Sequence, residues 1–197
     1  MGRKKRLVQG VGINDANYVV TTSEIVNGKL KQVWECPFYR SWKAMLRRCS
    51  DKYKEDNPRY LGCSISEEWL TFSNYRKWMI RQDWENKQLD KNLLLPDNKI
   101  YSAETCVFVD SQINTFNNNC TTSGEEHPVG FYWNKRQNKF HALCNNPFTK
   151  KSEHLGYFTC PNQAHEAWRK RKHELACQLA DLQTDQRVAE ALRIRYN

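Results

Sequence analysis

Residues Asn117–His127 read Asn-Asn-Asn-Cys-Thr-Thr-Ser-Gly-Glu-Glu-His and carry no apolar period. Small polar side chains and a glycine in a row offer nothing to bury and favour turns, so this stretch reads as a linker. A chain of 197 residues can hold one domain or two small ones, and a break here favours two, each with a modest core. The expected organisation is a basic tail and hairpin over 1–35, a first domain over 36–119 and a linker over 120–128. A second domain follows over 129–182, and a terminal helix over 183–197. The expected fold class is α+β: a small ββα core with flanking helices, then a three-stranded antiparallel sheet packed on a helix.

Met1–Arg6 (MGRKKR) is a basic tail. Asn27-Gly28 between Ser23–Val26 and Lys29–Trp34 predicts a hairpin with a two-residue turn. Pro37 opens a helix, where its missing N–H costs little. Phe38, Trp42, Met45 and Cys49 form its apolar stripe. No acidic residue interrupts Pro37–Ser50, so Arg40, Lys43, Arg47 and Arg48 make either a solvated surface or a phosphate-contacting face. Asp51–Arg59 reads as a polar loop, Tyr60–Ile65 as a short strand and Glu67–Asp83 as a second helix. That helix points Trp69, Phe72, Tyr75 and Trp78 into a core. Leu89–Asn119 reads as strand, Asn/Asp/Pro-rich loop, short strand and helix, the helix opening near Ser102 as N-cap with Glu104 behind it. That order can bring Asp90 close to Asn114, and a carboxylate with an amide oxygen suits a magnesium-like ion.

The same stretch resembles the HNH (ββα-metal) nucleases, in particular phage HNH proteins. Their core reads LDR/LDK, then N-x-x-Y-S-P-E-N-C, then a closing Asn. Here stand Leu89-Asp90-Lys91, Asn98 through Ser102, Glu104-Thr105-Cys106 and Ile113-Asn114. The family's lead-in is matched by Tyr39, Trp42, Met45, Arg48 and Cys49, then Cys63, Glu68-Trp69 and Phe72-Ser73-Asn74-Tyr75, so the resemblance spans about 80 residues. It implies a divalent ion, magnesium first, on Asp90 and Asn114, and phosphodiester hydrolysis.

Such a nuclease needs an ion to hold the scissile phosphate and a base to activate water. The family's usual base is a histidine after the strand-edge residue, but Lys91 occupies that place, and residues 1–126 contain no histidine. An ordinary lysine is protonated at neutral pH, so Lys91 is a candidate for stabilising phosphate charge instead. A rare-cutting restriction enzyme of the HNH family, with an Asp-Arg pair here, also lacks the usual base and works with a tyrosine. Its Tyr-to-Asn spacing equals the thirteen positions from Tyr101 to Asn114. By that resemblance Tyr39, with Tyr101 behind it, is a candidate base, beside the plainer reading of a core tyrosine. Arg48 is a candidate phosphate clamp.

The chain carries +9 net charge, unevenly: residues 1–60 hold 13 basic and 6 acidic groups, 61–120 hold 6 and 8, and 121–197 hold 12 and 8. Basic ends around a slightly acidic middle suit a polyanionic partner. No apolar run is long enough for a membrane span and the N-terminus lacks a signal peptide's apolar core, so a soluble intracellular protein is expected. Its eight cysteines are then thiols or metal ligands. Cys36, Cys49, Cys63 and Cys106 are candidates for a structural zinc tetrad, with small buried thiols as the alternative.

After the linker, Val129–Asn134, Lys139–Cys144 and Leu155–Thr159 predict three strands. They are joined by a turn at Arg136-Gln137-Asn138 and a longer loop over Asn145–Glu153. Pro161 starts a long helix with Ala164, Trp168, Leu175, Leu179 and Leu182 on one side, and Leu182–Asn197 adds a short one with Val188, Leu192 and Tyr196. Val129-Gly130, Lys135, Lys139, Phe140, Ala142, Leu155-Gly156-Tyr157-Phe158-Thr159, Ala164, Ala167 and Trp168 resemble the APETALA-type (ethylene-response-factor) DNA-binding domain. That family lays the outer face of its sheet in the major groove of double-stranded DNA. The resemblance places Tyr132, Lys135, Lys139 and His141 on or beside that face, with Trp133 pointing either way and Lys150 and Lys151 adding charge. The family's strand arginines are few here, so phosphate gripping is expected over base reading. Together the two resemblances imply a phage-type, homing-like HNH endonuclease on double-stranded DNA. The alternatives are a DNA-binding protein with an inactive core, and an interaction protein using its basic surfaces.

Overall fold

The computed structural model describes residues 7–118 and 129–197. The tail Met1–Arg6 and the expected linker 120–128 lie outside the described residues. The chain divides into two compact units, residues 1–108 and 109–197. The fold is α+β, as expected, with a three-stranded antiparallel sheet packed against a helix in the second unit. No helix among the described residues is long and apolar enough to cross a membrane.

In the first unit β1 (Thr21–Val26) and β2 (Lys29–Glu35) pair antiparallel. Asn27 and Gly28 at the turn have φ of 53° and 73°, the left-handed pair that a two-residue hairpin turn requires. Helix α1 (Pro37–Arg48) buries Tyr39, Trp42, Met45 and Leu46, while Phe38 and Cys49 of the expected stripe sit half-buried at its margin. Where a polar loop was expected, α2 (Asp51–Asp56) and a 3-10 turn (Pro58–Tyr60) form without burying a residue. Such a helix leaves no apolar period to read.

The helix expected over Glu67–Asp83 is split. A 3-10 turn spans Glu67–Leu70, Thr71 is extended (φ −98°, ψ 125°), and α3 runs Phe72–Met79. The cause is a distant segment: Ile13 N–H donates to the Leu70 carbonyl at 2.8 Å and Phe72 N–H to the Ile13 carbonyl at 3.0 Å. Those bonds pull residue 71 into a strand-like bridge. Around them Trp42, Trp69, Phe72 and Tyr75 are fully buried. The Trp42 indole donates to the Trp69 carbonyl at 2.7 Å, which satisfies the polar atom that burial would strand.

Strand β3 (Ser64–Ile65) runs parallel to β5 (Ile100–Tyr101), and β4 (Gln88–Asp90) pairs with β6 (Val107–Val109). No helix opens at Ser102. Its carbonyl accepts from Cys106 N–H at 3.0 Å in a turn, and the chain enters β6 before helix α4 (Ser111–Asn118) begins. Val-Phe-Val, buried at every position, suits a pleated strand better than a first helical turn.

The second unit holds α4, strands β7 (Phe131–Asn134), β8 (Lys139–Asn146) and β9 (Lys151–Phe158), and helices α5 (Pro161–Asp181) and α6 (Gln186–Ile194). The loop expected over Asn145–Glu153 is shorter. Asn146 Oδ1 accepts from Phe148 and Thr149 N–H at 2.8 and 3.1 Å, and Lys150 takes a φ of 57°, closing the hairpin early. Gly130 (φ +99°) lies against Trp168, where a Cβ would stand 2.1 Å from the indole. In α5 the buried stripe is Ala164, Trp168, Lys172, Leu175, Ala176 and Leu179. Lys172 is 2 % exposed. Its ammonium donates to the Phe116 carbonyl at 2.8 Å and lies 3.5 Å from that ring's centre. Helix α4 is thereby pinned to α5, inside the second unit, although the sequence groups it with the first domain.

Candidate functional site

Asp90 closes β4. Its Oδ1 accepts from Asn92 and Leu93 N–H at 2.6 and 2.8 Å, a side-chain turn that fixes the carboxylate where the strand gives way to loop. Among the described residues no hydrogen bond reaches Oδ2. Lys91 is buried, its ammonium donating to Asn92 Oδ1 and, at 2.8 Å, to the Asn98 carbonyl. Asn98 donates to the Lys91 and Ile100 carbonyls at 2.8 and 2.7 Å and accepts from Ile100 N–H at 3.1 Å. The Asp-Lys and Asn-x-x-Tyr elements of the motif are thus the two ends of one cross-braced loop. The Lys91 charge is spent inside it.

Arg48, from α1, reaches the Leu89 carbonyl at 3.4 Å, one residue before Asp90. Burial works against its charge, and the Tyr101, Tyr60 and Tyr53 phenols together raise its pKa above the usual value. Tyr101 is buried, and burial pushes its phenol well above its ordinary pKa, against the pull of Arg48. Tyr39 packs its ring on Trp42 and Phe72 at 5.7 and 5.4 Å. Burial raises its pKa as well, with Lys43 opposing. Both candidate bases are therefore core tyrosines that hold their protons more firmly than free ones. Asn114 is the fourth residue of α4, half-buried, and its N–H donates to the Asp110 carbonyl at 3.0 Å. It belongs to the second unit and Asp90 to the first.

The four cysteines considered for zinc are not gathered into a ligand set. Among the described residues no group of three or more His, Cys, Asp or Glu could hold a metal ion. Cys36 lies 3.9 Å from the Tyr18 hydroxyl. Burial pushes the Cys49 thiol to about 11, with Cys63 adding to the rise, and the Cys106 thiol to about 12.

On the sheet of the second unit the register sorts the predicted residues. Tyr132 faces His141, which faces Tyr157, and Asn134 faces Lys139. Alternation puts all five on the outer face, while Ala142, fully buried, marks the side that packs on α5. Trp133 pairs with Phe140 and Lys151 with Asn146 on that inner side, so neither belongs to the outer face. Lys135 lies in the exposed β7–β8 turn and Lys150 in the exposed β8–β9 turn. Lys139 is the one lysine on the strands of the outer face among the described residues.

Sequence reading missed His154 and Tyr157. His154 Nδ1 lies 2.5 Å from His141 Nε2, and the Tyr132 hydroxyl 2.8 Å from His141 Nδ1. The rings of His141, His154 and Tyr157 stand within 5.0 Å of one another, centre to centre. His154 is out of phase with Tyr157 by strict alternation, which hid it. Gly156 beside it was the available signal, because glycine inside a strand marks an irregularity.

No family model, no curated protein and no solved structure matches this chain.

Proposed function

We propose that the protein is a metal-dependent HNH-type endonuclease that hydrolyses phosphodiester bonds in double-stranded DNA inside the cell. The outer face of its C-terminal sheet grips the duplex. The observation that carries this reading is Asp90, a strand-end carboxylate with Oδ1 anchored by two backbone amides and no hydrogen bond to Oδ2 among the described residues. A carboxylate so fixed fits a hard ion such as magnesium, which takes few protein oxygens and keeps several waters. The resemblance adds Asn114 as the second ligand. Once bound, such an ion supplies charge to hold the phosphate and steady the leaving oxygen. The chain's own residues hold Asp90 in place through the Asn92 and Leu93 amides, and Arg48 sets a half-buried cation beside β4. Nicking of supercoiled plasmid with magnesium tests this. Asp90→Ala and Asn114→Ala are each expected to abolish cutting, a loss of 100-fold or more, with DNA binding retained.

A second reading, a DNA-binding protein that does not cut, is favoured by the inward placement of Lys91, Tyr39 and Tyr101. Salt-sensitive binding without magnesium-dependent nicking would support it, because phosphate contacts weaken steeply with salt.

A further inference from the structure

We propose that His141 and His154 form a surface site for one divalent transition-metal ion of the zinc, nickel and copper class. The proposal depends only on the chain's own nitrogens and stands whether or not the sheet face meets DNA.

A register shift between Ala142 and Leu143 sets Gly156 opposite Ala142 and His154 opposite Leu143, leaving Leu155 as an extra residue on β9. Without that bulge, alternation would turn His154 toward α5. With it, Glu153 takes the inner side and accepts from Arg171 of α5 at 2.7 Å, while His154 faces out beside His141. Bulges commonly re-aim a side chain in this way. Gly156 carries a φ of +132°, a backbone that side-chain-bearing residues rarely adopt.

The nitrogens are arranged as ligands. With His141 Nδ1–H donating to the Tyr132 hydroxyl, the Nε2 lone pair is left facing His154 Nδ1. An outer partner of that kind holds the ring and tautomer of most metal-binding histidines. Bonds of about 2.0–2.1 Å to a shared ion require the two nitrogens to part to roughly 3 Å, a small rotation for two rings at the surface. Among the described residues, the rings facing the pair are those of Tyr132 and Tyr157, and the nearest carboxylate in sequence, Glu153, is turned away. Imidazole without carboxylate selects zinc, nickel or copper over magnesium. Water or an oxyanion, a phosphate oxygen included, would complete the coordination on the open side.

Calorimetric titration of the full chain with nickel chloride, in excess magnesium, tests the site. The expected result is one ion per chain, with affinity falling in His141→Ala and in His154→Ala by more than the roughly 10–100-fold that loss of an outer partner costs. Tyr132→Phe, altering a positioning residue, and Gly156→Ala, straining the bulge, should each weaken uptake. Circular dichroism identifies any variant that fails to fold. Among the described residues His173 is an imidazole beside a sulfur, at 3.6 Å from Cys177, and serves as the control: Cys177→Ser should leave uptake unchanged. Cobalt should give a spectrum without thiolate charge transfer. No saturable uptake, uptake indifferent to both histidine changes, or uptake lost in Cys177→Ser overturns the proposal.

Discussion

The Asp90 loop and the outer face of the C-terminal sheet use similar residues to opposite ends. Around the Asp90 carboxylate, a lysine and two asparagines bond one another and the loop backbone, and the lysine is 6 % exposed. On the sheet, a lysine, two histidines and two tyrosines point to solvent, with Tyr132 51 % exposed. A polar motif read from sequence can therefore be structural cement or a working surface. Burial of its charged groups separates the two.

That contrast is open to direct attack. Asn98→Ala removes two donated bonds and one accepted bond from a buried loop; urea unfolding should register a loss of about 2–4 kcal/mol, at one net bond plus desolvation for each group stranded. Lys91→Met should cost about 1–3 kcal/mol by leaving the Asn98 carbonyl without its ammonium. Its nicking rate per folded molecule should stay within a few-fold of the parent. A rate loss as large as that of Asp90→Ala would return Lys91 to the chemistry.

On the sheet the expectation inverts. Lys139→Ala should change stability by less than about 0.5 kcal/mol, while the salt dependence of DNA binding loses roughly one unit of slope. Tyr39→Phe should leave cutting unchanged, since its ring packs in the core whether or not it carries a hydroxyl.

The smallest effect is on pH. Glu153 is held below its ordinary carboxylate pKa of 4.5, first by Arg171, and Asp185 below its ordinary 3.8, first by Arg187. A carboxylate whose folded pKa is depressed stabilises the fold above the unfolded value. That support is lost as pH falls through the folded one. Thermal melts of the second unit should therefore decline below about pH 4.5, and Arg171→Met should flatten the decline.

Local chemistry made much of the fold legible. Asn27-Gly28, Pro37, the β7–β8 turn and Pro161 each announce an element through backbone preference alone, and the structure follows them. The failures share another cause. Thr71 is extended because Ile13, fifty-eight residues away, bonds on either side of it. A buried Val-Phe-Val strand precedes α4 because a partner strand exists for it. Lys172 reads as a polar gap in an apolar stripe, yet is buried because Phe116 supplies a carbonyl and a ring. At the site, the residue type of Asp90 was legible, but the sequence did not reveal that Lys91 turns inward or that a bulge brings His154 to His141. Those depend on which side of a strand or loop a residue takes, and a single irregular position resets that side.

The pin between Lys172 and Phe116 decides where this protein can be dissected. Cutting at the polar stretch before residue 129 would leave the C-terminal fragment burying an ammonium without its Phe116 acceptor, and the N-terminal fragment would end in an unseated helix. A fragment beginning near Val109 keeps both partners on one chain, and should express as a folded piece where one beginning at Val129 does not.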